Sequence, residues 1–411
     1  MTKTPRRRHD PIHGLIEAAL QPGRLISYGE GFGFVSILGG VADRIRELLS
    51  TDPARAVELC EVFLAGCNEK AEEIDDSDGY LGTFAQELVC QWIRARQAAN
   101  AGPDETVGKL LAWMDDDPYG FCSGVERNAA TAFDRKGLQA FERQARARFD
   151  AAGGRVWADV LRAIYSAQRD VDRYVGLCRK TELTTGDCET IAGLLQARRK
   201  FADALVWVEH GLELEQRDRF PMAGGRIADM KRHLLKKLGR GDEALNSAWV
   251  DFQAHPNSSS YDELMHYAPK AERAAWRERA MEAAEGGDLS SLIELWLAAK
   301  ETGRLVERLR SASNRELEGI SHYTTEPAAK RLATAHPEVA AKVFRALGMR
   351  IVNANKSRYY GAALANFQEA KRCYVQAGLR CEWDALVLEV RHTHRRKYSF
   401  MPGFERLAAS R

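Results

Sequence analysis

The sequence predicts an all-α fold: an irregular tetratricopeptide-like α-solenoid of antiparallel helix pairs. Three observations carry that expectation. First, a helix-pair block recurs with its landmarks in the same places. Arg199-Lys200-Phe201-Ala202-Asp203-Ala204-Leu205 leads into Trp207, Leu212 and Leu214, and Arg240-Gly241-Asp242-Glu243-Ala244-Leu245 leads into Trp249 and Phe252 before Pro256. A looser echo, Tyr359-Tyr360-Gly361-Ala362-Ala363-Leu364, precedes Phe367, Ala370 and Tyr374. In helix-pair repeats the small alanine lets two helices approach, and the leucine and aromatic one to two turns later fill the gap to the next pair. Second, good helix formers (Ala, Leu, Arg, Glu) dominate, and alternating Val/Ile runs are nearly absent. Third, helical segments of roughly 10–20 residues alternate with short turns along the whole chain, as a helix-pair array requires. The blocks repeat at roughly 40 residues rather than about 34, so a regular tetratricopeptide array is not expected.

The elements follow in order. Residues 1–11 are expected to be a disordered basic lead. Ile12 to Leu20 reads as a short helix ending near Pro22-Gly23. Tyr28 to Gly40 is glycine-rich, with Gly29, Gly31, Gly33, Gly39 and Gly40, and a helix from about Val41 to Leu49 is expected after it. Asp52-Pro53 pairs a capping side chain with proline at the first helical position, opening a helix to about Ile74. Its Ala56, Leu59, Cys60, Phe63, Leu64 and Cys67 recur at three- and four-residue spacing. Further helices fit 83–99, 104–115, 123–131 and 136–151, and Gly153-Gly154 marks a boundary. Beyond it come 155–167, 170–180, 187–197 and 201–214, a loop at Phe220 to Gly225, then 226–238, 241–254, 259–266, 270–284, 288–299 and 302–312. Two longer helices between Pro337 and Ala377 flank Asn353–Lys356, and a last one covers 380–395. The expected organisation is an N-terminal helical region with an acidic face over 12–152 and a tetratricopeptide-like array with a basic C-terminal cap over 153–411.

Composition narrows the class. The 411 residues suffice for two or three globular domains or one extended array, and 12 prolines with no long Gly/Ser tract leave no disordered linker. No stretch approaches the roughly 18 apolar residues of a membrane span, and the basic Met1–Arg8 leads into no signal-peptide core, so no membrane partner is expected. Most of the eight cysteines sit in apolar helical patterns, such as Leu59-Cys60-Glu61-Val62-Phe63-Leu64. Buried free thiols in the cytoplasm account for them better than a disulfide framework. Net charge is only +2, yet it is unevenly spread. Residues 55–126 hold 15 acidic and 5 basic side chains, a balance of −10, and residues 341–411 hold 5 acidic and 14 basic, a balance of +9.

That polarity selects the candidate sites. Asp75, Asp76 and Asp78 lie in the turn Glu72 to Gly82, and Asp115, Asp116 and Asp117 in a second acidic turn; both follow helices in the same third of the chain. The first imitates a calcium loop but fails on spacing. With Gly79 at the loop glycine, Ile74 falls at the first ligand and Ala85 where a bidentate glutamate belongs. A helix end whose Ser77 or Asp78 caps the next helix is the structural reading, beside a divalent-cation or basic-partner site. The basic candidates are Arg391, Arg395, Arg396, Lys397 and Tyr398, whose cations interleaved with aromatics suit a phosphate backbone, a protein partner, or the acidic third of the chain itself. Cys373, Cys381, His392 and His394 are zinc-ligand types, but the seven residues between the cysteines do not match paired-ligand spacing. They read as core cysteines and surface histidines, and no metal or cofactor is expected. Phosphate-loop, nucleophile-elbow and zincin motifs are absent, and Gly29-Gly31-Gly33 is no dinucleotide fingerprint.

The turn Glu72 to Gly82, the stretch Leu111-Ala112-Trp113-Met114-Asp115-Asp116-Asp117-Pro118-Tyr119-Gly120-Phe121, the block Leu235 to Ala248 and the ending Phe400-Met401-Pro402-Gly403-Phe404 resemble a bacterial helical-repeat family of unknown function. That family is similar to the helical C-terminal region of SWIM zinc-finger proteins. The resemblance spans Ile12 to Leu407 and implies a helical-repeat fold. The SWIM motif, Cys-x-Cys followed by Cys-x-His, does not occur here, so its zinc and DNA-binding role is not implied. The leading functional expectation is a non-enzymatic scaffold binding a protein or peptide through a concave surface. The alternatives are a nucleic-acid-associated accessory protein using the basic C-terminal helices and, more remotely, a metal-dependent enzyme using the acidic turns.

Overall fold

A computed structural model describes residues 11–217 and 224–410. The expected basic lead up to residue 10, and most of the loop expected at Phe220 to Gly225, lie outside the described residues. The described chain is all-α, and its only extended pairing is an isolated parallel bridge between Ile26 and Ile74. It divides into two compact units, Met1–Met230 and Lys231–Arg411.

The first unit carries α1 (Pro11–Ala19), α2 (Gly31–Glu47), α3 (Pro53–Lys70), α4 (Tyr80–Ala98), α5 (Pro103–Asp115), α6 (Val125–Ala132), α7 (Arg135–Ala152), α8 (Arg155–Ala167), α9 (Val171–Cys178), α10 (Thr185–Ala197) and α11 (Phe201–Arg217). Local chemistry sets the starts. Asp52, Asp134 and Asp170 each accept a hydrogen bond from the backbone N–H of the third residue of the helix that follows, and Pro53 and Pro103 occupy first positions. Gly153 and Gly154, at φ 63° and 93°, make the α7–α8 joint with backbone angles that disfavour any residue bearing a Cβ. Packing follows the helical-array rule. α3 lies on α4, and α10 on α11, while α2–α4–α6–α8 and α5–α7 touch as next-but-one neighbours.

α12 (Gly224–Lys237) contains the boundary between the units. The second unit continues through α13 (Gly241–Ala254), α14 (Ser258–Tyr267), α15 (Arg273–Ala284), α16 (Leu289–Ala298), α17 (Thr302–Ser311), α18 (Asn314–Gly319), α19 (His322–Leu332), α20 (Pro337–Asn353), α21 (Tyr360–Gln376), α22 (Arg380–His394) and α23 (Met401–Ala409). α13 contacts α14 and α15, α14 contacts α16, and α21 contacts α20, α22 and α23. The irregularity falls where α19 stands between α16 and α20 and the short α18 packs on α20. The landmarks of the repeated block are buried: Ala204 and Leu205; Ala244, Leu245, Ala248, Trp249 and Phe252; Ala363, Phe367, Ala370 and Tyr374. The exceptions are Trp207, Leu212 and Leu214, which are only partly buried. Trp207 lies against His210, and Val208 with Gly211 takes the core positions.

Three local expectations are corrected. The glycine-rich Tyr28–Gly40 is helical from Gly31, because Phe34, Leu38, Val41, Ala42 and Ile45 recur on one buried face and their burial outweighs the intrinsic cost of the glycines. Residues 313–332, unassigned by periodicity, form α18 and α19. A Ser313–Glu316 capping box starts α18, and α19 keeps Pro327 inside because Ala328, Ala329 and Leu332 are buried beside it. A helix beyond residue 395, α23, starts at Met401-Pro402 and is held by fully buried Phe404. Among the described residues, no helix is long and apolar enough to cross a membrane.

Candidate functional site

The two acidic turns sit together on the first unit. Buried Lys70, at the end of α3, donates to the carbonyls of Gln21 and Arg24 at 2.9 and 2.7 Å and pairs with Glu73. Glu73 also accepts from Gly23 N at 2.8 Å, and these partners hold its carboxyl below the usual range. The Ile26–Ile74 bridge completes the anchor. Neither Ser77 nor Asp78 caps α4: the N-cap position is Gly79, and the Asp76 carboxylate reaches the first turn, accepting from Leu81 N at 2.8 Å and Gly82 N at 3.1 Å. Asp75 accepts from Ser77, and Asp78 accepts from the Tyr28 hydroxyl at 3.0 Å, which pushes the tyrosine's pKa up.

The second turn is built the same way. Asp117 accepts from Phe121 N at 2.9 Å and Cys122 N at 2.7 Å, and Asp115 pairs with Arg148 at 2.8 Å. Trp113 lies on fully buried Trp92, ring centroids 4.5 Å apart. Gln86 donates to Ser123 O at 2.8 Å, and Tyr119 to Glu72 at 2.9 Å. Asp116 is exposed, and its side chain has no partner among the described residues. Between α3, α4 and this turn is a socket of about 170 Å³, lined by Leu64, Ala65, Val89, Trp113 and Phe121 with Asp116 and Asp117 among its polar lining. Exposed aromatics adjoin the first turn: Phe32, 71% exposed, meets Tyr80 edge-on at 5.8 Å. Tyr28, Phe32, Tyr80 and Tyr119 were missed from sequence, Phe32 because its glycine-rich segment does not read as a helix.

The basic candidates separate in role. Arg391 is held by Glu405, Nη2 to Oε2 at 2.6 Å, which lowers the Glu405 pKa. Lys397 donates to Val352 O at 2.8 Å and to the Asn355 side chain, tying the 394–400 turn to the 353–359 turn. Arg395, Arg396 and Tyr398 are exposed. The expected core cysteines and surface histidines are each half corrected. Cys373 is buried and Cys381 exposed, while His392 is exposed and His394 buried. All eight cysteines are free, five of them buried.

Fold and surfaces together define a helical-repeat protein whose exposed chemistry is charge and aromatics. The chain belongs to the family of unknown function DUF6880, whose model matches residues 152–402. No curated protein matches it. Among solved structures it is similar to that of Naa15/Naa10 bound to HypK-THB, with 11% identity over 95% of this chain and 65% of that one at a TM-score of 0.37. The chain thus spans just under two thirds of that relative's length. It is also similar to a circular tandem repeat protein with novel repeat topology and enhanced subunit contact surfaces, with 10% identity over 96% of each chain at a TM-score of 0.20.

Proposed function

We propose that this protein is a non-enzymatic scaffold whose first unit docks a basic segment of a protein partner, with one long side chain entering the socket between α3, α4 and the 113–122 turn. The socket is the observation that carries the reading. At about 170 Å³ it is below the roughly 300–1,000 Å³ of small-molecule sites and suits a single side chain. Its walls, Leu64, Val89, Trp113 and Phe121, are apolar, as an arginine or lysine stem requires, and Asp116 supplies an unpaired carboxylate for the charge. The −10 balance over residues 55–126 favours encounter with a cation and disfavours acidic competitors. Asp76 and Asp117 take up backbone N–H groups, which fits positioning the turns better than ligating a metal.

The test uses the full chain and a fluorescent 12-residue Arg/Leu peptide, with a Glu/Leu peptide of the same length as control. The basic peptide binds and weakens as salt rises from 50 to 300 mM. Ala65→Trp, at an exposed position lining the socket, and Asp116→Asn each weaken binding at least fivefold without changing thermal unfolding. Equal binding of the acidic peptide, or indifference to Ala65→Trp, overturns the reading. So does concentration-dependent self-association that Ala65→Trp abolishes, since the occupant would then be a second copy.

A further inference from the structure

The second unit carries a surface of opposite character that the docking of a basic segment does not use. Lys397 ties the 394–400 turn to the 353–359 turn through Val352 O and Asn355, and Tyr360 meets Phe400 edge-on at 5.4 Å. Beneath them fully buried Phe367, Phe400 and Phe404 pack as a cluster, with centroids 5.2 to 6.1 Å apart, so the two turns rest on a rigid floor. The junction gathers Lys356, Arg358, Arg395 and Arg396. None of the four forms an ion pair among the described residues, whereas Arg391 is matched by Glu405 and Arg345 by Glu318 and Glu389. No carboxylate occurs between Val352 and Gln368 or between Val390 and Phe404.

Two tyrosines are exposed on the same turns. Tyr398 is 82% exposed and lines an open depression of about 440 Å³ with Arg395, Met401, Pro402 and the Arg391–Glu405 pair, whose carboxylate is already neutralised by Arg391. Tyr359 is 45% exposed, with the Arg358 guanidinium 4.6 Å from its ring centroid. Unpaired cations would satisfy any polyanion. Exposed aromatic faces beside an apolar floor suit an anion that also presents flat rings, and a duplex keeps its rings stacked inside. We infer that the junction of the 353–359 and 394–400 turns binds single-stranded nucleic acid, its phosphates on Lys356, Arg358, Arg395 and Arg396 and a base against Tyr398.

The experiment is fluorescence anisotropy of the full chain with labelled 15-nucleotide oligo-U and oligo-dT, a hairpin duplex and a 15-residue polyglutamate peptide. Both single strands bind at 50 mM salt, and preference between them tells RNA from DNA as the source. Log Kd changes linearly with log salt, by about 0.7 per phosphate neutralised, and Arg395→Gln with Arg396→Gln reduces that slope by about 1 to 1.5. Tyr398→Ala weakens binding about tenfold with the slope unchanged, and Tyr398→Trp restores it. These positions are exposed, so circular dichroism should show unchanged folding. Polyglutamate binding as tightly as the oligonucleotides, a duplex binding equally with no effect of Tyr398→Ala, or no single-strand binding at 50 mM salt each overturns the inference.

Discussion

The hydroxyl of Tyr119 donates to Glu72 Oε1 at 2.9 Å, joining two acidic turns that lie 47 residues apart. Like charges oppose that approach, and the hydrogen bond, with the socket residue Phe121 two positions on, holds it. Glu72 in turn raises the Tyr119 pKa by stabilising the neutral phenol. Tyr119→Phe should therefore loosen the turn without unfolding the unit. Amide hydrogen exchange over residues 115–122 should quicken several-fold while the melting temperature stays put. Unchanged exchange there would show that Trp113, Asp115 and Gln86 hold the turn unaided.

How much of this was legible in the chain varies with the kind of signal. The helices expected at 155–167 and 241–254 coincide with α8 and α13, because glycines at positive φ, Gly154 and Gly239, precede each and the apolar period is strong. α2 was half lost because glycines weigh against a helix locally, and the burial of Phe34 and Leu38 that outweighs them is tertiary. Charge located both candidate surfaces. Sequence could not say that Asp76 and Asp117 bind backbone while Asp116 does not, since that depends on where neighbouring N–H groups point. The carboxylate-free runs around Lys356 and Arg395 were legible, but their meeting through Lys397 was not.

Gly348→Ala separates propensity from packing. In an exposed helix the change stabilises by about 1 kcal/mol. Here a Cβ would lie 2.9 to 3.0 Å from three atoms of the Phe367 ring, where α20 and α21 pack, and Phe367 is fully buried. Overpacking should win, with a net loss of about 1–3 kcal/mol by urea unfolding. A raised unfolding midpoint would mean that the ring moves aside freely.

The thiols should differ sharply in reactivity. Burial pushes the pKa of Cys60, Cys67, Cys122 and Cys188 up to about 12, leaving on the order of one thiolate in 10,000 at pH 8. Cys381 is exposed on α22. Alkylation of the native protein at pH 8, mapped by mass spectrometry, should label Cys381 first, and Cys381→Ser should remove the fast phase. Early labelling of Cys60 or Cys188 would show that their helices open readily.

His394 predicts an acid-sensitive step. It is 5% exposed, and its Nε2 has no hydrogen-bond partner among the described residues. Burial lowers its pKa from the ordinary 6.5, Lys397 lowers it further, and Glu389 opposes them. Since the folded value lies below the unfolded one, the stabilisation is complete above pH 6.5 and is lost as pH falls through the folded value. Carboxylates titrate lower, so the window from pH 7 to 5.5 isolates the histidines. Between those limits the urea midpoint of the wild type should fall more than that of His394→Leu, in which the other histidines remain. Parallel pH profiles for the two proteins would mean that the imidazole charges without penalty, through water or a shift of the 394–400 turn.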